Sequence, residues 1–565
     1  MPEGRLGKHL PVERMLRWVT LVKPGEWRSV LLLLLQVFLL LLAYYLIRPV
    51  REALILDEGS PEVRSYAIGA ISITLIFMIP LYKLLFDHLD GNGNKSALLR
   101  WVMSFFISNL LIFAILGKIG VPVSLPFFVW GGVFSVMVLA QFWAFAADLF
   151  NIKTGQRLFT VIAIGSALGS VVGSQLASFL FPMIGPFNLM LLAAFVLSLV
   201  IWIGSKVERL VPASSQAAQN GESSQDADAD LKNFWSSFNV VLRNRYLLLI
   251  AIFVAMLNLV NSTGGYILAS FVHDYAAREA GANLLLTERD LIGQFYGDYL
   301  SWVTLIQLAL QMFVVSKLFR NVGVSGAILI VPLIMIINYG LIAFVPVFSI
   351  VRIMMIIENG SNYSIQTTVN HSLYLTTTRQ EKYVGKTTVD TFFWRFGDLL
   401  HAALIFVLAN LFSVALTDIM VINFVLSLCL FMLSLAIGRH YRNALRQNHR
   451  QHSLMAESIS SNVYAPSGQI LVFSVPDEVL TDSGETSRYK VRIAGGGKMP
   501  EWIRFDPTEL CFTVNPPLGS IGCVDLELLV TDSEGLWVCS RLRIEHGADS
   551  KPRFSDDLEG LWHAG

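Results

Sequence analysis

The sequence is poor in charge. Of its 565 residues, 15% are Asp, Glu, Lys or Arg and 54% are hydrophobic, whereas an ordinary soluble domain has about 25% charged residues. So few charges cannot cover so much apolar surface, which argues against a soluble enzyme. The formal net charge is zero and no large basic block occurs, so nothing in the composition supports nucleic-acid binding.

The sequence is also poor in cysteine, with only Cys429, Cys511, Cys523 and Cys539. Four irregularly spaced cysteines are too few for a disulfide scaffold, and no Cys-x-x-Cys pair is present to hold zinc. No dense acidic cluster is present to bind calcium either. We therefore expect neither a metal site nor a cofactor.

Long apolar runs are what the sequence does contain. A bilayer core about 30 Å thick needs about 20 mostly apolar residues per helix. Twelve runs of this kind occur, starting near Ser29, Ser65, Leu98, Val123, Leu158, Pro186, Tyr246, Gly297, Gly323, Val347, Val389 and Asp418. The pattern predicts an all-α polytopic membrane protein with twelve transmembrane helices, the first being an anchor and not a signal peptide.

A segment rich in Ser, Ala, Gln and Asp, residues 211–230, follows the sixth run. Its composition predicts a disordered linker between two six-helix halves. This is the layout of major-facilitator transporters, whose solute site lies between the halves near the membrane midplane. The predicted divisions are a cytoplasmic N-terminal segment (1–27), the first half (28–204), a cytoplasmic linker (205–245), the second half (246–440), a further linker (441–464), a β-sandwich module (465–546) and a flexible tail (547–565).

Lysines and arginines are unevenly distributed over the short connections between the runs. Basic residues in short loops are retained on the cytoplasmic side of a membrane. The larger set, which includes Lys153, Lys317 and Lys382, falls on the side of both termini, whereas the smaller set includes Arg64 and Arg289. The pattern predicts a protein integral to the lipid bilayer, with both termini in the cytoplasm.

Polar residues form a stripe along the tenth predicted helix. Arg352, Asn359, Tyr363, Gln366 and Asn370 are seven, four, three and four residues apart, which places them on one face of an α-helix. Because polar groups inside a membrane are costly, we expect this face to line a wet cavity where the first four contact solute. A polar seam against a neighbouring helix is the alternative.

The first predicted helix ends in Arg48-Pro49-Val50-Arg51-Glu52. Its two guanidinium groups are one turn apart, and Arg suits bidentate binding of phosphate or carboxylate. The spacing predicts solute binding by Arg48 and Arg51, with Glu52 in gating or coupling. Snorkelling of Arg48 to the membrane interface is the alternative.

The eleventh predicted helix carries Asp390, Arg395, Asp398 and His401. Spacings of three residues allow an Arg395–Asp398–His401 cluster on one side. We expect Arg395 to bind solute and the two aspartates to act in gating or coupling. A neutralised structural pair, with an inert histidine, is the alternative.

Three more charged residues, Asp148, Arg157 and Lys386, lie near the predicted cytoplasmic helix ends. Ion pairs among such residues would gate the cytoplasmic side of a transporter, and solvation of a loop is the alternative. In the fifth predicted helix, Gly165, Gly169 and Gly173 recur every four residues, a small-residue pattern that predicts close helix packing.

From about residue 466 the pattern changes to short alternating strands separated by turns. The predicted strands are 470–475, 488–493, 511–514, 524–530 and 537–544, which together indicate a small all-β sandwich. The segments MPEWIRFDP (499–507) and VTDSEG (530–535) resemble the dystroglycan-type cadherin-like module. The helix count puts this module in the cytoplasm, where it could recruit a protein partner.

Four segments of the membrane part resemble the non-mitochondrial ATP:ADP antiporters, the bacterial and plastid-type nucleotide transporters. They are KPGEW (23–27), YYLIRPVREAL (44–54), FWAFAADLF (142–150) with GQRLF (155–159), and KYVGKTTVDTF (382–392). The resemblance implies exchange of nucleotides across a membrane, and its basic position in the first helix matches Arg51. The chain departs from the family pattern at Gly131 and Asn261, where acidic residues are expected, and at Asp398, where a basic one is expected.

The sequence and the resemblance together predict a secondary transporter of the bacterial inner membrane and no enzyme. The predicted transporter is an antiporter that exchanges nucleotides (ATP or ADP) or another phosphorylated anion by alternating access. The alternative is a transport-inactive membrane scaffold or sensor whose β-sandwich recruits a partner. Cavity charge separates the two, because an anion carrier needs a net positive cavity. The candidate charges, Arg51, Arg352 and Arg395 against Glu52, Glu358, Asp390 and Asp398, do not decide between them.

Overall fold

The computed structural model describes residues 27–90, 95–149, 152–210, 234–282, 286–378, 381–458, 460–474, 488–494, 497–507, 510–532, 535–547 and 553–554. These ranges are mainly helical up to Ser458 and contain β-strands beyond it. Two compact units divide the chain, one of residues 1–315 with 329–434 and one of residues 316–328 with 435–565. The six-plus-six boundaries stay predictions.

The described residues before 211 form α1 Trp27–Glu58, α2 Pro61–Asp90, α3 Lys95–Lys118, α4 Ser124–Leu149 and α5 Ile152–Leu210. Helix α5 bends at Gly185, whose φ of 76° lies in the left-handed region that glycine enters without a Cβ clash. Pro186 follows and lacks the backbone N–H that would continue the helical hydrogen bonds. The fifth and sixth predicted runs are therefore the two arms of one bent helix.

The described residues between 234 and 458 form α6 Phe234–Arg243, α7 Arg245–Ala282, α8 Glu288–Phe313, α9 Val315–Ala327, α10 Ile330–Phe344, α11 Phe348–Ser361, α12 Thr367–Ser372, α13 Lys386–Thr388, α14 Trp394–Phe406 and α15 Leu416–Ser458. The π-helical turns Asn362–Gln366 and Val389–Phe393 connect α11 to α12 and α13 to α14. Helix α8 begins after Thr287, which forms a capping box with Asp290.

Seven helices of the described ranges are long and apolar enough to cross a membrane, or eight if α8 and α9, bent by 76°, form one span. All twelve predicted apolar runs nevertheless lie in described helices. Fewer helices qualify as membrane spans because α5 contains two runs and because other helices are shorter or carry more charge. The predicted fold class, an all-α polytopic membrane protein with a small all-β C-terminal part, is confirmed.

The glycine repeat of α5 packs against α1. A Cβ atom added to Gly165, Gly169 or Gly173 would come within 2.5, 2.2 or 2.6 Å of a backbone oxygen of α1, closer than any real Cβ contact. The two backbones therefore touch directly, and only glycine fits at these positions. The small-residue repeat is a packing surface, as its spacing predicts.

Replacing Gly169 with alanine should lower the stability of the helical unit by about 1 to 3 kcal/mol, because backbone atoms of Phe38 would have to move. Gly281 is the matched control, since an added Cβ there meets no atom within 4 Å. Thermal unfolding in detergent should show a lower midpoint for Gly169→Ala and an unchanged one for Gly281→Ala. Equal midpoints would contradict the close packing of α1 and α5.

The C-terminal strands form two sheets. They are β1 Ser460–Pro466, β2 Leu471–Ser474, β3 Arg488–Ile493, β4 Ile503–Asp506, β5 Cys511–Val514, β6 Gly522–Asp532, β7 Gly535–Gly547 and β8 Arg553–Phe554. One sheet has the order β3-β6-β7-β1-β8 and the other β2-β5-β4. Their core includes Val463, Phe473, Phe512, Leu526 and Ile544. All five predicted strands are present, and this strand content gives loose support to the resemblance to a cadherin-like module.

The second predicted linker, 441–464, differs from what the structure contains. Helix α15 continues to Ser458, and β1, which pairs in parallel with β7, begins at Ser460. Residues 439–464 contain neither glycine nor proline, and the residues up to Ser458 include many helix formers such as Leu, Ala, Arg and Gln. The helix therefore runs almost directly into the first strand of the β-module.

Candidate solute-binding cavity

A cavity of about 270 Å³ lies among helices of both predicted halves. Side chains of α1, α2, α7, α8, α11 and α14, with one residue of the π-turn after α11, line it. The polar and aromatic ones are Arg48, Arg51, Glu52, Arg64, Asn258, Asn261, Ser262, Tyr296, Tyr299, Asn359, Tyr363, Trp394, Arg395 and Asp398. The remaining lining residues are mainly aliphatic, so the cavity is a mainly polar one with a smaller apolar part.

Glu52 joins two arginines in one wall of this cavity. Arg51 Nη2 donates to Glu52 Oε1 and Arg64 Nε donates to Glu52 Oε2, both over 2.6 Å. Glu52 is 3% exposed, and the Arg51 guanidinium also lies 4.4 Å above the Phe128 ring. Because one carboxylate holds two guanidinium groups, this cluster carries one excess positive charge.

Each of these arginines keeps a donor for which the described part of the chain offers no acceptor. Arg51 Nε and Arg64 Nη1 are buried, and neither has a hydrogen-bond partner among the described residues. A buried N–H without an acceptor costs free energy that an incoming acceptor recovers. The two nitrogen atoms are therefore candidate donors to an anion in the cavity.

Arg48 lies one turn before Arg51 on α1. Its Nη2 donates to the hydroxyl of Tyr363 over 3.4 Å, and its guanidinium lies 5.7 Å from the centre of the Tyr45 ring. Neither contact neutralises its charge. Arg48 therefore faces the interior of the protein and does not extend to the membrane interface.

Asp398 of α14 lies in another wall of the cavity. Its carboxylate accepts hydrogen bonds from Ser262 over 3.0 Å and from Ser72 over 3.3 Å, and Arg395 Nη1 lies 3.3 Å away. The predicted extension of this cluster to His401 is wrong, because His401 Nδ1 lies 3.1 Å from the Thr263 hydroxyl instead. The aspartate and Arg395 form a pair that neighbouring hydroxyl groups support.

Arg352 and Gln366 do not line the cavity, although the polar stripe predicts that they do. Arg352 forms an ion pair with Asp298 of α8, so it does not balance Glu358 either. Gln366 is buried and donates to Asn370 over 2.8 Å. Of the stripe, only Asn359 and Tyr363 reach the cavity.

The π-helical turn Asn362–Gln366 explains part of this difference. A π-turn closes its hydrogen bond over five residues instead of four. The extra residue rotates the chain that follows, so Gln366 leaves the face that α-helical periodicity assigns to it. The sequence pattern alone contains no signal for this insertion.

Four of the predicted gating residues, Asp148, Arg157, Lys386 and Asp390, are not among the described residues that line the cavity. Asp390 is exposed, and Lys386 and His371 are near enough to act on it electrostatically. Asp148 and Arg157 lie in helices whose backbone is described, but their side chains lie outside the described residues. The roles of these four residues stay predictions.

The sequence pattern does not predict that Arg64 lines the cavity. It places Arg64 outside the membrane instead, because this residue falls in a short connection with few basic residues. Arg64 follows Glu52 by twelve residues, across the turn between α1 and α2, so no helical spacing links the two. Tyr296 and Tyr299, one turn apart on α8, are aromatic lining residues that the sequence pattern did not indicate either.

Gly131 and Asn261, two of the departures from the family pattern, lie near these charges. A Cβ added to Gly131 would sit 3.0 Å from Arg51 Cδ, so the Arg51 side chain packs closely against the glycine and leaves little room for a larger residue. Asn261 lines the cavity and accepts a hydrogen bond from Asn362 over 3.5 Å. Neither position places an acid against the arginines, and Glu52 is the one carboxylate that pairs with Arg51 and Arg64 among the described residues.

At the end of α1, ion pairs and hydrogen bonds connect the two predicted halves. Arg289 at the start of α8 donates to Asp57 Oδ2 from Nε over 2.7 Å and from Nη2 over 2.5 Å. The Tyr266 hydroxyl of α7 donates to Glu62 of α2 over 2.7 Å. These contacts hold the halves together on the side where α1 ends.

A second hollow of about 510 Å³ lies at the beginning of α7, beside Arg243, Arg245 and Glu381. Asn244 Nδ2 donates to Glu381 Oε1 over 2.6 Å, and the backbone N–H of Thr378 donates to Oε2 over 3.0 Å. Burial acts to raise the pKa of Glu381, but these hydrogen bonds outweigh it and the pKa is lowered. The carboxylate is therefore ionised at neutral pH and anchors the start of α7.

Membrane helices that enclose a polar cavity have the architecture of a membrane transporter. Solved structures support this fold. The chain aligns with the nucleoside transporter NupG at a TM-score of 0.55 and 13% identity, over 72% of this chain and 98% of that one. An auto-inhibited peptide transporter of the POT family gives 0.51 and 12%, over 74% and 97%. At these identities the likeness concerns the fold alone.

The sequence itself carries a more specific match. Residues 127–357 match the TLC ATP/ADP transporter family, so the predicted resemblance to nucleotide transporters is confirmed over this range. The curated proteins compared with the sequence include no match. The helices, the cavity and this match together support a membrane transporter, and residues 127–357 are the part that is similar to the TLC ATP/ADP transporter family.

Proposed function

We propose that the protein is a secondary transporter that exchanges nucleotides or another phosphorylated anion by alternating access. The observation that carries this proposal is the charge of the cavity. Among its described lining residues, four arginines face two carboxylates, Glu52 and Asp398. The cavity therefore keeps a net positive charge, which an anion carrier requires and a purely structural polar seam does not.

The arginines are suited to phosphate. A guanidinium group donates paired, charge-assisted hydrogen bonds to phosphate oxygens, and Arg51 and Arg64 each hold an N–H without an acceptor. Tyr299, Tyr363 and Trp394 in the same lining offer aromatic surface to a nucleobase. A nucleotide carries both chemical features at once, which favours it over a simple inorganic anion.

Alternating access requires that the cavity close on one side while it opens on the other. The contacts of Arg289 with Asp57 and of Tyr266 with Glu62 close the side where α1 ends. In the proposed bacterial inner membrane, with both termini in the cytoplasm, this is the outer side. The solute would then enter and leave through the opposite, cytoplasmic side in the conformation described.

The Asp57–Arg289 pair offers a test of this gate. Asp57→Arg should slow exchange roughly five- to tenfold, because a like-charge pair at the interface costs about 1 kcal/mol or more and disfavours the closed outer side. The double variant Asp57→Arg with Arg289→Asp reverses the pair and should restore most of the rate. If the double variant is as slow as the single one, the pair does not act as a gate.

Exchange itself is measured with full-length protein in liposomes. Vesicles preloaded with unlabelled ATP or ADP should take up external labelled nucleotide, and vesicles without internal nucleotide should not. If labelled nucleotide enters equally fast with and without internal nucleotide, exchange is ruled out. Absence of both uptake and nucleotide binding would favour the alternative, a transport-inactive scaffold whose β-module recruits a cytoplasmic protein.

A further inference from the structure

A second polar cluster lies beside the cavity, around Glu358 of α11. The Glu358 side chain is 0% exposed. Its Oε1 accepts a hydrogen bond from the Tyr339 hydroxyl over 2.6 Å, and its Oε2 accepts one from Asn338 Nδ2. Asn338 and Tyr339 belong to α10 and are fully buried as well. The carboxyl group is therefore enclosed by protein within the membrane part.

Among the described residues, no cation pairs with this carboxyl group. Arg352, on the same helix, is bonded to Asp298, and the side chains that act on Glu358 are those of Tyr339 and Asn338. An ionised carboxylate held only by neutral donors is costly inside a membrane. The protonated acid avoids that cost.

Asn338 contributes a second, independent observation. Its Oδ1 is buried and accepts no hydrogen bond. A side-chain amide that turns over exchanges its oxygen and nitrogen positions, so Asn338 could present Oδ1 to a protonated Glu358. One proton would then neutralise the carboxylate and supply the donor that Asn338 lacks.

The other groups around this cluster are uncharged. From α8, Tyr299 donates to the backbone oxygen of Met355 over 3.3 Å. From α7, Gly264 lies so close that an added Cβ would be 2.0 Å from the Tyr339 hydroxyl. From α15, Asn423 lies within hydrogen-bond reach of Tyr339. Tyr339 and Tyr299 are the titratable neighbours, and both are neutral phenols.

Glu358 is coupled to the cavity through its own helix. Met355 and Asn359, three residues before and one after it, both line the cavity, and Asn359 donates to Tyr299 over 2.9 Å. Adjacent residues of an α-helix point about 100° apart, and the helix is about 10 Å across. A charge on Glu358 therefore lies within about one helix diameter of a solute in the cavity.

We propose that Glu358 is a proton-binding site and that its proton strengthens anion binding in the cavity. The proton removes a negative charge close to the bound anion, while Asn359 and Tyr299 transmit any movement of α11 to the lining. One charge about 10 Å away changes anion affinity roughly tenfold at an effective dielectric constant near 20. The coupling rests on the proposed function, whereas the proton site does not.

The proton site is tested without any solute. Infrared absorption of protonated carboxyl groups is recorded for the full-length protein in detergent, from mildly acidic to mildly alkaline pH. The wild type should show a titrating band that Glu358→Gln lacks and that the loop variant Glu381→Gln retains. Tyr339→Phe, which removes a donor to the ionised form, should keep the band to higher pH. Identical spectra for wild type and Glu358→Gln would overturn the proton site.

The coupling is tested with ATP as the probe, by equilibrium binding over the same pH range. Because ATP itself titrates near pH 6, wild type and Glu358→Gln are compared at each pH. Glu358→Gln, which imitates the protonated acid, should bind ATP about tenfold more tightly than wild type at alkaline pH and equally at acidic pH. If the ratio of the two ATP affinities, Glu358→Gln over wild type, is the same at every pH, the coupling is overturned. If neither protein binds ATP but the infrared band still titrates, the proposed nucleotide function is contradicted and the proton site is supported.

Discussion

Replacing Arg64 with glutamine should lower ATP affinity about thirtyfold, because a hydrogen bond to a charged group is worth roughly 1.5 to 3 kcal/mol and a factor of ten corresponds to about 1.4 kcal/mol. Glutamine can still donate to Glu52, which Arg51 also holds, so the wall of the cavity should keep its shape. Arg64 is the sharpest choice because its Nη1 is buried without an acceptor. Equilibrium binding to the purified full-length protein measures the effect.

Arg352→Gln is the matched control for this experiment. Arg352 is an arginine of the same membrane part, but it pairs with Asp298 and does not line the cavity. We expect its replacement to lower thermal stability and to leave ATP affinity unchanged. The cavity assignment fails if Arg64→Gln binds ATP as the wild type does, or if Arg352→Gln weakens binding to the same extent.

Replacing Glu52 with glutamine should destabilise the protein by about 3 to 5 kcal/mol, the usual cost of removing one partner from a buried ion pair. Glu52 holds Arg51 and Arg64 together, each over 2.6 Å. Without its charge, two nearly buried guanidinium groups would repel each other. Thermal unfolding in detergent should show a large drop in the midpoint, and added ATP should recover part of it by supplying negative charge to the same arginines.

Asp57→Asn is the control for the Glu52 experiment. Asp57 also pairs with an arginine, Arg289, but the two side chains are 21% and 29% exposed. Partly exposed pairs contribute only about 1 kcal/mol or less, so a small change is expected. If both variants lose a similar amount of stability, burial does not make the Glu52 ion pairs stronger than the Asp57–Arg289 pair.

Part of the cavity could be predicted from local spacing. Arg48, Arg51 and Glu52 lie within five residues at the end of one helix, and both arginines and the glutamate line the cavity. Arg395 and Asp398, three residues apart, are paired as expected. In these cases helical geometry alone brings the side chains together, so the sequence contains enough information to place them.

Other residues could not be placed in this way. The polar stripe of the tenth predicted helix identifies one face of that helix but not the helix that packs against it. In the structure Arg352 pairs with Asp298 of α8 and does not line the cavity. The π-turn at Asn362–Gln366 then moves Gln366 off the face. For Arg64 the deciding partner, Glu52, lies across a turn, and no sequence period connects them.

The amino-acid sequence by itself determines that this chain is a membrane protein, where its helices run, that α5 packs closely through glycines, and that a β-stranded module follows the helices. These properties depend on apolar length, periodicity and residue size, all of which are local. The tertiary structure decides which charges meet: Glu52 with Arg64, Arg352 with Asp298, and Glu358 with the neutral donors Tyr339 and Asn338. Electrostatic energy inside a membrane depends on distances between different helices, which local sequence patterns do not contain.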